Sequence, residues 1–414
     1  MGEKECFIRM LGEQIRKLRK QKKMTLEALA GKELTKGMLS LIENNKAKPS
    51  MESLTYIAEQ LGVNVSDLLG NVSSEELRDV LEKAEKIYNS DQKKQERSIR
   101  LIELIEPYVD KLSQGYEAAR LLEIYSYSLY NEKRQGWQEL SDLAAKMYDQ
   151  MNISVNRAGI AVFRTLDKFN EHDYEKALEI FLHERHVIEE HHAYIDPLTR
   201  LDLDYHEAVL YYAVGDSKAA TQIMESALSF SKEKKIFYRV DELYRLAAAH
   251  AMMLKNERQM DYYLEKLKLY GEFADNLFSL HFYKLIRIMS LIDEKREYKK
   301  ALEEIDQLLA DGEKVKFYDP WFNLEKGKAL YYLENYEEAL VYLDGVVIPP
   351  GIHHPFDLSI FYVVDAFKAL CYLELGDEED ALKAIKKAVY QFDTLPDSPF
   401  KEMVLKANAR ISKL

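Results

Sequence analysis

A short motif recurs through the chain at a spacing of about 40 residues, and such a period is typical of helical repeat arrays. In most copies the first residue is followed three positions later by alanine. The copies are Tyr174-x-x-Ala177-Leu178, Ser217-x-x-Ala220, Tyr298-x-x-Ala301-Leu302, Tyr336-x-x-Ala339-Leu340 and Glu378-x-x-Ala381-Leu382. One interval is about twice the usual length, so we expect a copy without the alanine near Asn256 to Met260.

Each motif is interpreted as the start of the second helix of a helix pair. The small alanine lets that helix approach the first one closely, and the preceding tyrosine fills the corner. Gly215-Asp216 and Gly376-Asp377 predict tight, capped turns between the two helices, and Gly327 matches a position of close approach on a first helix. Glycine and proline are sparse, at 16 and 9 residues, which also favours an all-α fold of long helices.

The charge is distributed unevenly along the sequence. Residues 7–48 carry 11 Lys and Arg against 4 Asp and Glu, although the whole chain has a net charge of -13. A basic head on an acidic body predicts an anionic partner for the head alone.

The head has the layout of a helix-turn-helix. Thr25 is predicted to cap a short helix that stops at Gly31, and Thr35 to cap a second helix that runs to about Asn44. Longer helices flank this pair, the last of them opening at Pro49-Ser50, and a final short turn is predicted to stop at Gly70.

The second helix of the pair is predicted to read DNA bases, and the chain that leaves it to contact phosphates. Gly37 and Met38 offer few hydrogen-bonding groups for base reading. The predicted DNA-binding residues are Thr25, Thr35, Lys36, Gly37, Met38, Ser40, Asn44, Asn45, Lys46 and Lys48.

The head resembles the helix-turn-helix of phage-repressor-like (XRE-type) regulators. The resemblance rests on Ile15-Arg16-x-x-Arg19, Leu29-Ala30, Ser40-x-Ile42-Glu43-Asn44, Pro49-Ser50 and Leu54-x-x-Ile57-Ala58-x-x-Leu61. The array resembles tetratricopeptide repeats, with Gly327 to Leu343 as the clearest copy. The expected fold is therefore an all-α chain, with a DNA-binding domain at 1–70 and a right-handed solenoid at 71–414. Within the solenoid, 71–152 forms degenerate helix pairs and 153–414 clearer repeats.

Together the two parts resemble the Gram-positive peptide-pheromone receptors, the Rap–Rgg–NprR–PlcR–PrgX group, and most of all the NprR type. The resemblance implies a cytoplasmic, homodimeric transcription regulator for quorum sensing, which binds a short signalling peptide in the groove of the array and an operator through its heads. It also implies asparagines that bind the peptide backbone and arginines that hold an acidic group. The candidate peptide-binding residues are Asn276, Asn408, Asn323, Arg245, Arg239 and Arg120.

The same resemblance leaves a second function open. Rap-type arrays bind a response regulator of the sporulation type and remove its phosphate or sequester it, and both functions could share one chain. Gln92, Gln95 and Gln138 lie in the early array helices, where this activity would be expected.

Other classes have little support in the sequence. The histidines in "HERHVIEEHH" (183–192) lack the H-E-x-x-H pattern of a metal site, and no phosphate-binding glycine loop or nucleophile motif is found. No metal and no cofactor are expected. Two cysteines, Cys6 and Cys371, cannot build a disulfide framework and fit a reducing compartment.

Overall fold

The computed structural model describes residues 3–63, 65–68, 74–310 and 316–413. All regular elements within these ranges are helical, which confirms the predicted all-α class. None of the described helices combines the length and the apolar character that crossing a bilayer requires. The predicted stop at Gly70 and the predicted domain boundary at 70–71 fall outside the described residues.

Five helices form the head, and polar caps define their ends. They are α1 (Glu3–Gln21), α2 (Leu26–Ala30), α3 (Lys36–Glu43), α4 (Met51–Leu61) and α5 (Val65–Leu68). As predicted, the Thr25 and Thr35 side chains accept the N–H groups of Ala28 and Met38, both at 3.1 Å. Ser50 caps α4 in the same way. These caps satisfy backbone donors that a short helix leaves without partners.

A small apolar core holds the head together. Ile15, Leu29, Leu39, Ile57 and Leu61 are fully buried and come from α1, α2, α3 and α4. Apolar side chains at helical spacing on each element therefore meet in one cluster.

The remaining helices follow one another through short turns. They are α6 (Ser74–Tyr88), α7 (Lys94–Ile105), α8 (Tyr116–Asn131), α9 (Trp137–Met151), α10 (Ser154–Asn170), α11 (Tyr174–His191), α12 (Pro197–Ala213), α13 (Ser217–Lys234), α14 (Val240–Met253), α15 (Glu257–Phe273), α16 (Leu277–Asp293), α17 (Tyr298–Ala310), α18 (Asp319–Tyr332), α19 (Tyr336–Asp344), α20 (Pro355–Glu374), α21 (Glu378–Phe392) and α22 (Pro399–Ile411). Short 3-10 helices span Glu106–Lys111 and Lys316–Tyr318.

The chain divides into two compact units, Met1–Ile160 and Ala161–Leu414. The first contains the head and the helix pairs formed by α6 to α9. In the second, neighbouring helices pack as antiparallel pairs, in which α12, α14, α16, α18 and α20 are first helices and α13, α15, α17, α19 and α21 second helices.

The connections inside these five pairs, and the one between α10 and α11, have the same construction. A residue with positive φ ends the first helix, and the residue after it precedes the second helix. The positive-φ residues are His172, Gly215, Lys255, Arg296, Glu334 and Gly376. At four of the connections the next side chain caps the second helix, with N–H to oxygen distances of 3.0–3.2 Å; these caps are Asp173, Asp216, Asn256 and Asp377.

The copy expected near Asn256 is confirmed by α15. Its cap is Asn256, and Met260 occupies the position of the alanine while remaining almost fully buried. The alanines of the other copies, such as Ala220 and Ala339, have no exposed surface. Small side chains at this position therefore allow the two helices of a pair to pack closely, and in one copy a methionine takes the same position.

Gly327 is confirmed as a point of close approach between α18 and α19. A Cβ atom built there would lie 2.6 Å from Cγ of Leu343, whose side chain is fully buried. A side chain at residue 327 would therefore have to displace the side chain of Leu343.

Gly327→Ala is expected to destabilise the second unit by about 1–2 kcal/mol, because overpacking outweighs the better helix propensity of alanine. Hydrogen exchange of the α18 and α19 amides in the full chain measures this change. Gly159→Ala is the matched control, since the nearest atom to its added Cβ, Oε1 of Glu123, lies 3.9 Å away. Unchanged exchange in Gly327→Ala would contradict the close approach.

Candidate functional site

A buried ion pair holds the second helix of the head pair, α3, against α1. Nε of Arg19 donates to Oε1 of Glu43 at 2.5 Å and Nη2 donates to Oε2 at 2.8 Å. Nη1 of Arg19 also donates to the backbone oxygen of Met24 at 2.9 Å. Glu43 is 2% exposed, and its hydrogen bond raises the pKa of Arg19 above the ordinary value. The pair therefore joins three segments: α1, the turn after it and the end of α3.

Two asparagines complete this junction. Asn45, with positive φ, accepts the backbone N–H of Gly12 at 3.0 Å. A Cβ at residue 12 would lie 2.3 Å from the backbone oxygen of Ile42, so only glycine allows α1 to approach α3 here. The amide of Asn44 donates to the backbone oxygen of Ser40 at 2.7 Å, and its oxygen accepts from Arg16.

The face of α3 that points away from the core is exposed and has little charge. Gly37, Met38 and Leu41 lie on it, while Lys36 forms an exposed ion pair with Glu27 at its start. Lys46 and Lys48 follow the helix and are exposed. This arrangement combines an accessible helix with flanking cations, which is the geometry that a helix requires for the major groove and adjacent phosphates.

The predicted DNA-binding residues thus fall into two groups. Gly37, Met38, Ser40, Lys46 and Lys48 present surface next to or on α3. The others also hold the local structure: Thr25 and Thr35 as caps, Asn44 and Asn45 at the α1–α3 junction, and Lys36 in its ion pair. Their contact with DNA stays a prediction. Leu41 is not among the predicted DNA-binding residues, although the helical period alone places it opposite the core.

The second unit has a partly open cavity of about 460 Å³. Its walls come from α12, α14, α16, α18 and α20, the first helices of five successive pairs, together with residues 351–354. The lining includes many aromatic side chains, among them Tyr205, Tyr212, Phe282, Phe317, Tyr318, Trp321 and Phe356. The volume and the mixture of apolar walls with a few polar groups are typical of ligand pockets.

Hydrogen bonds fasten residues 353–354 to the neighbouring helices. The Tyr174 hydroxyl donates to the backbone oxygen of His353 at 2.7 Å. Nδ1 of His354 accepts from the N–H of Phe356, and its Nε2 lies 3.3 Å from the backbone oxygen of Val209. Burial lowers the pKa of His354 to about 4, so the ring is neutral and Nε2 is the donor. This segment is therefore a fixed part of the cavity wall.

Arg245 is the cation of the cavity lining, and one of its donors has no partner among the described residues. Its Nε is buried without a hydrogen bond, although Nη2 lies 3.8 Å from Oδ2 of Asp241. Burial disfavours the charge of Arg245, but Tyr318, Tyr205 and nearby carboxylates hold its pKa above the ordinary value. Because a buried donor without a partner costs free energy, Arg245 keeps an unsatisfied donor in the cavity wall.

Asp357 supplies a second polar group to the wall. Burial raises its pKa to about 6, and the attraction of Arg245 only partly opposes this shift. Near neutral pH the carboxylate and the guanidinium therefore offer the cavity one acceptor and one donor of opposite charge.

Of the six candidate peptide-binding residues, Arg245 lines the cavity and the others lie elsewhere in the described chain. Asn276 caps α16 through the N–H of Ser279, and Arg239 pairs with Asp202 and Glu242. Asn323 and Asn408 are half-buried on α18 and α22. Arg120 belongs to the first unit, where it pairs with Glu85 and Glu123. A peptide-binding role stays a prediction for all six.

Neither a metal site nor a catalytic glutamine is marked by the geometry. Throughout the described ranges, no group of three or more His, Cys, Asp or Glu could hold a metal ion. Gln92 accepts a hydrogen bond from Arg100 at 2.8 Å on the surface. The response-regulator function implied by the resemblance stays a prediction.

Comparison with known proteins identifies the head. Residues 12–74 match the family model described as a helix-turn-helix domain. This segment is therefore a helix-turn-helix domain, as its caps and core predicted. No match was found among curated proteins.

Several solved structures are similar to the chain. Rgg2, the SHP pheromone receptor of Streptococcus dysgalactiae, is 14% identical over 66% of this chain and 98% of its own, with a TM-score of 0.31. The apo form of ComR from S. thermophilus is 17% identical over 69% of this chain and 99% of its own, with a TM-score of 0.36.

PlcR of Bacillus thuringiensis, solved with the peptide PapR7 and DNA, is 14% identical over 98% of both chains, with a TM-score of 0.23. Rgg2 and PlcR belong to the group of receptors that the motifs of this chain resemble. At these TM-scores the similarity transfers no ligand or assembly to the chain.

Glu43→Gln is expected to lower the free energy of unfolding of the head by about 2–3 kcal/mol, because Arg19 loses its charged partner in a largely buried position. Faster hydrogen exchange of the amides in α1 and α3 of the full chain measures the loss. Glu27→Gln is the control, because it removes the exposed partner of Lys36 and is expected to leave the exchange unchanged. Equal exchange in both variants would show that the buried pair does not hold α3.

Proposed function

We propose that the chain is a DNA-binding transcription regulator whose activity is set by a short peptide bound in the cavity of its second unit. The helix-turn-helix domain at 12–74 supports DNA binding. The observation that supports a ligand is the cavity itself, whose lining includes many aromatic side chains and whose wall contains the Nε of Arg245, buried without a hydrogen bond.

The chemistry of the cavity favours a peptide. The charge of Arg245 is already balanced by Asp241 and by Asp357, so an uncharged acceptor suits its guanidinium group better than a carboxylate. A peptide carbonyl is such an acceptor, and the neighbouring peptide N–H is a donor for Asp357. Apolar side chains of the same peptide would pack on Tyr318, Trp321 and Phe282. A peptide thus supplies all three kinds of group that the wall requires.

The peptide would control DNA binding through the arrangement of a homodimer. Two heads in a homodimer would read two half-sites, and their separation would set the affinity for the operator. The peptide changes this affinity only if it binds one arrangement of the dimer better than another. Such a regulator would act in the cytoplasm, and a secreted and re-imported peptide would make it a quorum sensor.

DNA binding is expected to weaken steeply with salt, because Lys46 and Lys48 contact phosphates. Lys46→Ala is expected to lower the affinity of the full chain for all duplexes and to reduce the slope of log K against log salt by about one. Fluorescence anisotropy with labelled duplexes at several salt concentrations measures both quantities. Lys299→Ala, an exposed lysine on α17, is the matched control. A full chain that binds no duplex at any salt concentration would overturn the proposed function.

Peptide binding is tested by selection from a library of short synthetic peptides with the purified full chain. A selected peptide is expected to raise the melting temperature of the wild type. Arg245→Met keeps the apolar stem but removes the donors, so we expect the affinity to fall about tenfold or more. Arg258→Met, on an exposed face of α15, is the control and should bind as the wild type does. If no peptide is retained, or if both variants bind equally, the cavity is not the peptide site.

A further inference from the structure

The surface that α3 turns towards solvent is apolar at its centre. Successive residues of an α-helix are rotated by about 100°, which places Leu41 about 200° from Leu39. Leu39 and Ile42 are buried, so Leu41 lies opposite the core, with Gly37 one turn before it. Met38 is 46% exposed and Leu41 is 44% exposed, and the two are neighbours at i and i+3.

The polar side chains around this strip are engaged within the head. Thr35 caps α3, and the amide of Asn44 is held by the Ser40 backbone oxygen and by Arg16. Lys36 lies in its ion pair with Glu27. The strip therefore presents methyl and thioether groups, with the missing side chain of Gly37 leaving room for close approach.

Lys46 and Lys48 lie beside the strip, and their charges indicate the kind of partner that the strip fits. The backbone N–H of Lys46 donates to the backbone oxygen of Leu41 at 2.8 Å, so the chain of Lys46 to Lys48 passes beside the strip. Both lysines are exposed. An apolar strip beside cations matches the major groove of duplex DNA, where phosphates border a floor whose apolar group is the 5-methyl of thymine.

We infer that Met38 and Leu41 determine sequence specificity by contacting thymine methyl groups. This inference rests on the proposed DNA binding and adds the class of base that α3 reads. The half-site is therefore rich in A·T pairs where α3 lies, and the contacts with phosphates supply affinity that does not depend on sequence.

The experiment removes only the 5-methyl group of thymine from the DNA and leaves the protein unchanged. A duplex selected from a randomised library with the full chain is synthesised twice, with thymine and with uracil, which lacks the 5-methyl but keeps the hydrogen-bonding groups. The wild type is expected to bind the uracil duplex about fourfold more weakly for each contacted methyl, the equivalent of burying one such group. Leu41→Ala and Met38→Ala are each expected to reduce this preference, and the double variant to abolish it.

Leu269→Ala, an exposed leucine on α15, is the matched control and should keep the full preference for thymine. Equal binding of thymine and uracil duplexes by the wild type would overturn the inference while leaving the proposed DNA binding intact. The same conclusion would follow if the double variant kept the preference, or if it changed the oligomeric state without changing DNA binding, because the strip would then contact protein. A chain that binds no duplex would contradict the proposed function and the inference together.

Discussion

The connection between the two helices of a pair is the constraint on which the array depends. A residue with positive φ turns the chain, and the following cap satisfies N–H groups at the start of the second helix. Four of the six turning residues, His172, Lys255, Arg296 and Glu334, are not glycine, and each accepts a conformation that costs about 1–2 kcal/mol. The packing of the pair outweighs this cost, because a buried alanine such as Ala220 or Ala339 lets the backbones approach closely.

Repetition of that connection explains where the cavity lies. Since each second helix packs on its own first helix, the first helices of neighbouring pairs meet one another, and five of them contribute to one wall. Side chains that are far apart in sequence, such as Tyr205, Arg245 and Asp357, are brought to the same cavity. Burial in its wall then sets their chemistry: it raises the pKa of Asp357 to about 6 and leaves Nε of Arg245 without a hydrogen bond.

The head uses polar groups for a different purpose. The Arg19–Glu43 pair and the Asn45–Gly12 hydrogen bond fix α3 from behind, where the small apolar core alone would leave its orientation weakly specified. With the polar groups engaged there, the outward surface consists of Gly37, Met38 and Leu41. Asn45, one of the predicted DNA-binding residues, therefore also holds the local structure, while Leu41, which was not predicted, lies at the surface.

The local elements and their order follow from the sequence alone. Caps at Thr25 and Thr35, the helix start at Pro49-Ser50, the copy without alanine at Met260 and the close approach at Gly327 were all predictable, because caps, helical period and small residues act over a few positions. Which polar side chains find partners depends on the tertiary structure. Six asparagines and arginines were candidates for peptide binding in the sequence, with Asn276 and Asn408 favoured, and the fold places Arg245 alone of the six in the cavity lining. The reason is physical: the hydrogen bonds and the desolvation of a polar group depend on groups from distant helices. No local sequence pattern predicts which helices will surround that group.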